Sequence, residues 1–240
     1  HPEVFPPDNL LDLGAANLGP VTGMFPTRNA LVVFKAQGIY LIKGDPVNGF
    51  SAQTLTRDVG CNAPNSICEV PGAGLVFLAS DGVYALQGSL ENEGMATSEI
   101  RLSTPISELM KRLNRSALLN AFGVVYHRAK EVWFAVPTIG SDVNNLVLVY
   151  HYDVAAWSYR ENLPIGCMLE THDHRGYLVF GSHDATNHPG LHVYSEGWAD
   201  KDGTAITPLY ETAHLDLGAG LVRTARPRHA WTYSVGHGNT

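Results

Sequence analysis

The 240-residue chain carries only three cysteines, Cys61, Cys68 and Cys167. The number is odd, there is no Cys-x-x-Cys spacing, and each flanks a strand-like segment where a free cysteine behaves as a small buried hydrophobe. A Cys61–Cys68 bridge is the pairing the spacing allows, but a disulfide framework is not expected, and this usage agrees with an intracellular origin. No apolar run approaches the ~20 residues a membrane helix requires. The opening His1-Pro2-Glu3-Val4-Phe5-Pro6-Pro7 has no basic segment followed by an apolar stretch, so a soluble polypeptide, a piece of something longer, is expected. Positive charge is short as well: 16 Lys and Arg stand against 23 Asp and Glu, a net charge of −7. That sign is wrong for gripping phosphate backbones, and sequence-specific nucleic-acid binding is not expected.

Motifs of catalysis are equally scarce. The sequence has no Gly-x-Ser-x-Gly elbow and no cysteine in a Cys–His context. Gly72-Ala73-Gly74 precedes a strand rather than a helix N-terminus, so it is no phosphate cradle. No catalytic residue and no cofactor is assigned on these grounds.

What the chain does contain is repetition. Leu31 to Gly44 (LVVFKAQGIYLIKG) and Leu75 to Gly88 (LVFLASDGVYALQG) are two gapless copies of one strand–turn–strand phrase, 44 positions apart. Leu31/Leu75, Val32/Val76, Gly38/Gly82, Tyr40/Tyr84 and Gly44/Gly88 are identical. A period of roughly 40–50 residues built of short strands and tight turns is the signature of β-propeller blades. Gln37-Gly38 and Asp81-Gly82 are read as the hairpin turns, where glycine accepts φ > 0. The near-continuous apolar runs before them are expected in strands covered on both faces.

Further units follow with looser spelling. Val124 to Val136 reads as strand, turn at Arg128-Ala129-Lys130, strand, and Leu146 to Trp157 completes four strands. A fourth unit begins near Gly166, with Met168-Leu169-Glu170, Tyr177 to Phe180 and, after a loop holding Asn187, Pro189 and Gly190, Leu191 to Tyr194. About four units are recognisable where a closed ring needs roughly 4–8. The expected architecture is therefore all-β: four-stranded antiparallel blades over 1–205, a ring that is incomplete here, and 206–240 as a closing strand or the start of a second β domain. At 45% apolar residues the chain is long enough to bury roughly 70–75% of its unfolded surface.

One segment breaks the pattern. Ser103-Thr104-Pro105 offers a cap and a first-turn proline, and Ile106, Leu109, Met110, Leu113 and Ala117 then recur at helical spacing. This predicts an amphipathic helix of about three turns over 104–119, which either packs over a blade edge or docks a neighbouring subunit.

Two constellations carry possible chemistry. His172, His174, His183, His188 and His192 crowd one stretch, and imidazole is the commonest transition-metal ligand. No fixed-spacing metal motif accompanies them, so the expectation is solvated loop histidines beside the turn residues Asp173 and Asp184. Glu69, Asp81, Glu131, Asp153 and Glu161 are the acids available to a glycosidase, which needs two carboxylates facing each other across a pocket. Asp81 and Asp153 are most simply turn residues. Gly38, Tyr40, Gly82, Tyr84, Trp133, Trp157 and Tyr194 are the residues expected to mark the structural repeat, with Tyr40, Tyr84, Trp133 and Tyr194 packing between blades rather than stacking on sugars.

The order of several short phrases carries a resemblance. Pro2-Glu3-Val4-Phe5, Ala30 to Lys35, Gly38-Ile39-Tyr40 with Gly44-Asp45, Gly60-Cys61 with Asn65-Ser66, Ser80 to Tyr84, Tyr152-Asp153 leading to Ala156-Trp157-Ser158, and Thr212 with Leu215 to Gly218 follow one another as in tail nozzle-type β-propeller proteins of tailed bacteriophages. The chain is similar to these virion structural proteins over nearly its whole length, and shorter than a complete nozzle subunit. The resemblance implies a non-enzymatic role in a six-fold ring of identical copies at the tail end, bound to adaptor and fibre proteins. DNA passes through such a ring, no membrane is engaged, and the protein is made in the host cytoplasm and ends in the virion. A host-surface glycan-binding or glycan-cleaving propeller is the alternative.

Overall fold

Strands that are apolar on both faces can be buried only if another sheet lies on each side, and sheet stacking is how this chain solves the problem. The computed structural model describes residues 11–14, 18–28, 30–45, 47–87, 98–161, 163–172, 176–183 and 190–194. The expectations for His174, His188 and residues 206–240 lie outside them. Four antiparallel meanders follow one another, each pairing its strands in chain order. The first holds β1 (Val21–Pro26), β2 (Leu31–Lys35), β3 (Gly38–Asp45) and β4 (Gly49–Thr56). In the second are β5 (Cys68–Val70), β6 (Gly74–Leu78), β7 (Val83–Gln87) and β8 (Ser98–Arg101). β9 (Phe122–Tyr126), β10 (Glu131–Val136), β11 (Leu146–His151) and β12 (Ala156–Glu161) make the third, and β13 (Ile165–Glu170), β14 (Leu178–Ser182) and β15 (Leu191–Val193) the fourth. The fold is all-β and blade-like; no closed ring is seen among the described residues.

The doubled phrase is a true structural recurrence. β2–β3 and β6–β7 are the second and third strands of their sheets and share one register, with Leu31 opposite Ile42 as Leu75 is opposite Leu86, and Val33 opposite Tyr40 as Phe77 is opposite Tyr84. The turns sit one residue earlier than the spelling suggests. Lys35 pairs with Gly38, leaving Ala36-Gln37 as the turn, and Ala79 N–H donates to Gly82 O (2.8 Å), leaving Ser80-Asp81. Gly38 has φ +134°, but Gly82 is not among the positive-φ residues. What Gly82 answers to is space: a Cβ there would lie 2.4 Å from Ser103 Oγ and 2.9 Å from Arg101 Nε.

Three apolar layers separate the four sheets. Val32, Phe34, Ile39 and Leu41 of the first sheet meet Leu75, Phe77, Tyr84 and Leu86 of the second, with Phe34 and Phe77 rings 5.1 Å apart. The opposite face of the second sheet, Val76, Leu78, Val83 and Ala85, meets Val132, Phe134, Leu146 and Leu148 of the third. The third sheet's other face, Trp133, Ala135, Val147 and Val149, meets Ile165, Met168 and Leu178 of the fourth. Each large side chain so buried contributes roughly 1.5–3 kcal/mol. Polar stitches cross the layers: Thr56 Oγ1 donates to Glu99 Oε1 (3.0 Å), Trp157 Nε1 to Leu102 O (3.0 Å), and buried Asn144 Nδ2 to both Asn120 O (2.7 Å) and Ile165 O (2.9 Å).

The segment expected to be a three-turn helix is instead broken. A 3-10 turn at Thr104–Ile106 runs into a single α-turn, α1 (Ser107–Met110), and a second 3-10 stretch covers Arg115–Asn120. Two competing hydrogen-bond sets end the helix. Ser103 Oγ accepts from Val83 N–H (3.1 Å) instead of capping. Between the turns, Asn114 N–H donates to Pro137 O and Ile139 N–H to Arg112 O, and Leu113 bridges Thr138. The apolar positions still face inward, with Met110 and Leu113 buried in the layer between the second and third sheets. Among the described residues no helix is long and apolar enough to cross a membrane.

All three cysteines are free thiols. Cys61 lies buried and donates toward Ala63 O (3.2 Å), and Cys68 toward Val76 O (3.7 Å). Burial pushes each of these two thiols up to about 12 from an ordinary value of 9.0. Two outcomes are expected. A thiol reagent at pH 8 should modify exposed Cys167 in the folded protein and the other two only after unfolding, as intact mass will show. Because the folded thiols keep their protons while unfolded ones ionise above about pH 9, their contribution to stability should be constant below that pH and fall as pH rises toward 12, measured as a urea midpoint that declines less when both are replaced by alanine. Separately, Gly82→Val should lower stability by about 1–3 kcal/mol through overpacking against Ser103 and Arg101; an unchanged midpoint would refute the close-approach account.

Candidate functional site

Polar groups that cannot enter the apolar layers collect at the strand ends, and the densest collection lies where the third and fourth sheets meet. In antiparallel pairs, residues directly opposite share a face, as do residues two apart on one strand. Glu131 of β10 is opposite His151 of β11, and Ser158 of β12 is opposite Val149, two residues from His151. All three side chains therefore project from the same face, in neighbouring strands. His151 Nδ1 lies 3.3 Å from Glu131 Oε1, and His151 Nε2 lies 3.0 Å from Ser158 Oγ. Trp133 Nε1 donates to Glu131 Oε2 (2.7 Å), so both carboxylate oxygens are engaged. Glu131 is largely covered, its side chain 13% exposed, whereas Ser158 is open to solvent.

Arg160, two residues beyond Ser158 on the same face of β12, is fixed beside this relay. Its guanidinium lies 4.8 Å from the centroid of Trp133 and 5.0 Å from that of Tyr194, and it donates to Tyr194 Oη (2.8 Å). Tyr194 in turn meets Trp133 edge-on at 4.9 Å. Nearby, Glu170 at the end of β13 holds the His127 ring and accepts from Arg128 N–H (3.3 Å), tying the fourth sheet to the turn after β9. Lys130 and Asp153 form a longer pair at 3.7 Å across the two hairpin turns of the third sheet. The Tyr152 phenol beside them is pushed up, first by burial and then by the carboxylates of Glu170 and Asp153.

The residues singled out from sequence fall as follows. Of the five histidines, His172 and His183 are exposed and His192 stacks on Phe180 at 5.3 Å. Among the described residues no three His, Cys, Asp or Glu converge as metal ligands. The acids are dispersed into separate partnerships: Asp81 with Arg101 (3.3 Å) and the Tyr84 hydroxyl (2.9 Å), Asp153 with Lys130, and Glu161 with Arg112 (2.9 Å). Glu69 stands exposed on β5. Tyr40 and Tyr84 occupy one register position and are buried. Trp133 and Tyr194 do not share it: Trp133 is on a second strand and Tyr194 follows a third. Trp157, half-buried, packs on Tyr150 at 4.8 Å. The serine and the histidine of the relay escaped sequence reasoning, since neither lies in a linear motif; matching parity along β11 and β12 was the available signal.

The four antiparallel sheets define a blade-like all-β protein. No family model matches the sequence, and no curated protein does. Among solved structures the chain is similar to the extracellular domain assigned to a one-component system of B. thetaiotaomicron, at 14% identity and a TM-score of 0.44, over 73% of this chain and 21% of that one. The chain thus spans about a fifth of that structure's length.

Removing the Arg160 head group tests the packing of the site. Arg160→Ala should cost about 0.5–2 kcal/mol by loss of the cation–π contacts, read from the urea midpoint. Arg160→Lys should recover only part, because an ammonium cannot stack on both rings as a planar guanidinium does.

Proposed function

We propose that the chain is a structural component of a bacteriophage tail, of nozzle or hub type, which joins copies of itself in a six-fold ring around the DNA exit channel and docks adaptor and fibre proteins. The observation that carries this reading is the succession of four stacked sheets, the second and third enclosed between apolar layers. A stack of this kind is a stiff block whose loops and edges are free for attachment, and rigidity is what a conduit under load requires. The order of phrases that resembles nozzle-type proteins supports the same role, as does the acidic balance of 23 Asp and Glu against 16 Lys and Arg, which does not retain a passing polyanion. Permanent interfaces between such subunits bury more than about 2,000 Å². Tyr40, Tyr84 and Trp133, three of the four rings weighed as a sugar-stacking platform, are buried.

Electron microscopy of the purified chain should show closed rings, and gold-labelled antibody should decorate one end of the tail on particles that contain the protein. A strictly monomeric chain that is absent by mass spectrometry from purified particles would overturn the reading. Binding in the submillimolar range on a glycan array would favour the alternative.

A further inference from the structure

We propose that Ser158, His151 and Glu131 form a nucleophilic relay that hydrolyses carboxylic esters presented on the surface of a larger molecule. This goes beyond the structural role and does not rest on it. The three groups have the order that activates a serine: nucleophile to base at 3.0 Å, base to orienting carboxylate at 3.3 Å. Roles follow from which nitrogen faces which oxygen. Glu131 can only accept, so the Nδ1 it faces carries the proton, and Nε2 presents its lone pair to the Ser158 hydroxyl. Trp133, fully buried, holds the second oxygen of Glu131 and fixes the carboxylate from behind. The sheet ladder places all three residues, so the relay is preorganised by backbone register rather than by a loop.

In the reaction, Ser158 Oγ attacks the acyl carbon while His151 Nε2 takes the hydroxyl proton. The tetrahedral centre collapses with cleavage of the acyl C–O bond, and the alcohol leaves with the proton from His151. Water, deprotonated by His151, then attacks the acyl–serine; the Oγ–acyl bond breaks, the acid departs and Ser158 regains its proton. The sum is ester plus water to acid plus alcohol, with no oxidant or cofactor. Negative charge developing beside Ser158 lies on the face that carries the Arg160 guanidinium. Among the described residues β12 is moreover an edge strand of its sheet, so alternate amide N–H groups along it point away from the ladder. The exposure of Ser158 on that edge strand sets the substrate class, because a protruding ester on a bulky carrier can reach it. Ser158 is the catalytic nucleophile and His151 its base; Glu131 and Trp133 are positioning residues.

The test uses an ethoxy fluorophosphonate probe and p-nitrophenyl acetate on the whole chain. Wild-type protein should gain one phosphonyl adduct, mapped to Ser158, and Ser158→Ala should gain none; this substitution lies on an exposed strand and leaves the fold intact. His151→Gln should slow labelling by at least about 10²-fold. Glu131→Gln should slow it and also displace the pH profile, which a merely structural carboxylate would not do. Hydrolysis of p-nitrophenyl acetate should be lost in Ser158→Ala and slowed in His151→Gln. Labelling of wild type no greater than of Ser158→Ala, an adduct mapped elsewhere, or labelling indifferent to His151→Gln in a variant with wild-type thermal unfolding would each overturn the proposal.

Discussion

Burial of the inner strands of the first three sheets on both faces is the constraint from which the remaining structure follows. A sheet with one wet face alternates apolar and polar residues; Val32-Val33-Phe34, Val76-Phe77-Leu78 and Val147-Leu148-Val149 do not alternate, and all are buried. Such a strand has no orientation in which its side chains avoid water unless a second and a third layer exist. Three apolar layers between four sheets meet that demand on both faces of the second and third, and they explain why the chain proceeds as consecutive meanders. Each sheet packs beside the one that precedes it in the chain, largely through its inner strands.

That logic also decides what could be read from the sequence. The hairpins were legible because their apolar runs and glycines are local, and their shared register at Leu31–Ile42 and Leu75–Leu86 is the spatial form of the gapless repeat. Gly82 was recognised as special for the wrong reason. Its identity with Gly38 suggested a common backbone conformation, yet Gly38 has positive φ and Gly82 leaves room for Ser103, which arrives from 21 positions further along the chain. The segment 104–119 misled in a similar way. Its helical spacing is real in that the apolar positions point inward, but hydrogen bonds from Asn114 to Pro137 and from Ile139 to Arg112 outcompete helix continuation. Short helices are marginal without tertiary support, and here the tertiary partners ask for something else.

The polar relay lay beyond linear reading for a related reason. Glu131, His151 and Ser158 are separated by 20 and 7 positions, and none has a telling neighbour. They meet because β10, β11 and β12 are adjacent in register, and a one-residue slip of β12 would send Ser158 to the opposite face. By sequence Glu131 is only one of several acids available to a carboxylate pair. In the structure its partners are an imidazole and an indole, a set that no carboxylate-spacing argument could have anticipated.

A stacked architecture leaves polar chemistry very few places to go. Strand centres are enclosed between layers, so ionisable groups concentrate at strand ends and on edge strands, where water remains within reach. β12 qualifies on both counts: it closes its sheet, and its outward positions are exposed. Trp133 shows how the two environments are joined, since its ring is wholly buried in the third layer while its N–H reaches Glu131 at the margin. The core thereby positions the rim. Rigidity contributed by the apolar layers passes through one indole to a carboxylate and on to the imidazole, which makes the geometry of the relay a consequence of packing rather than of any loop.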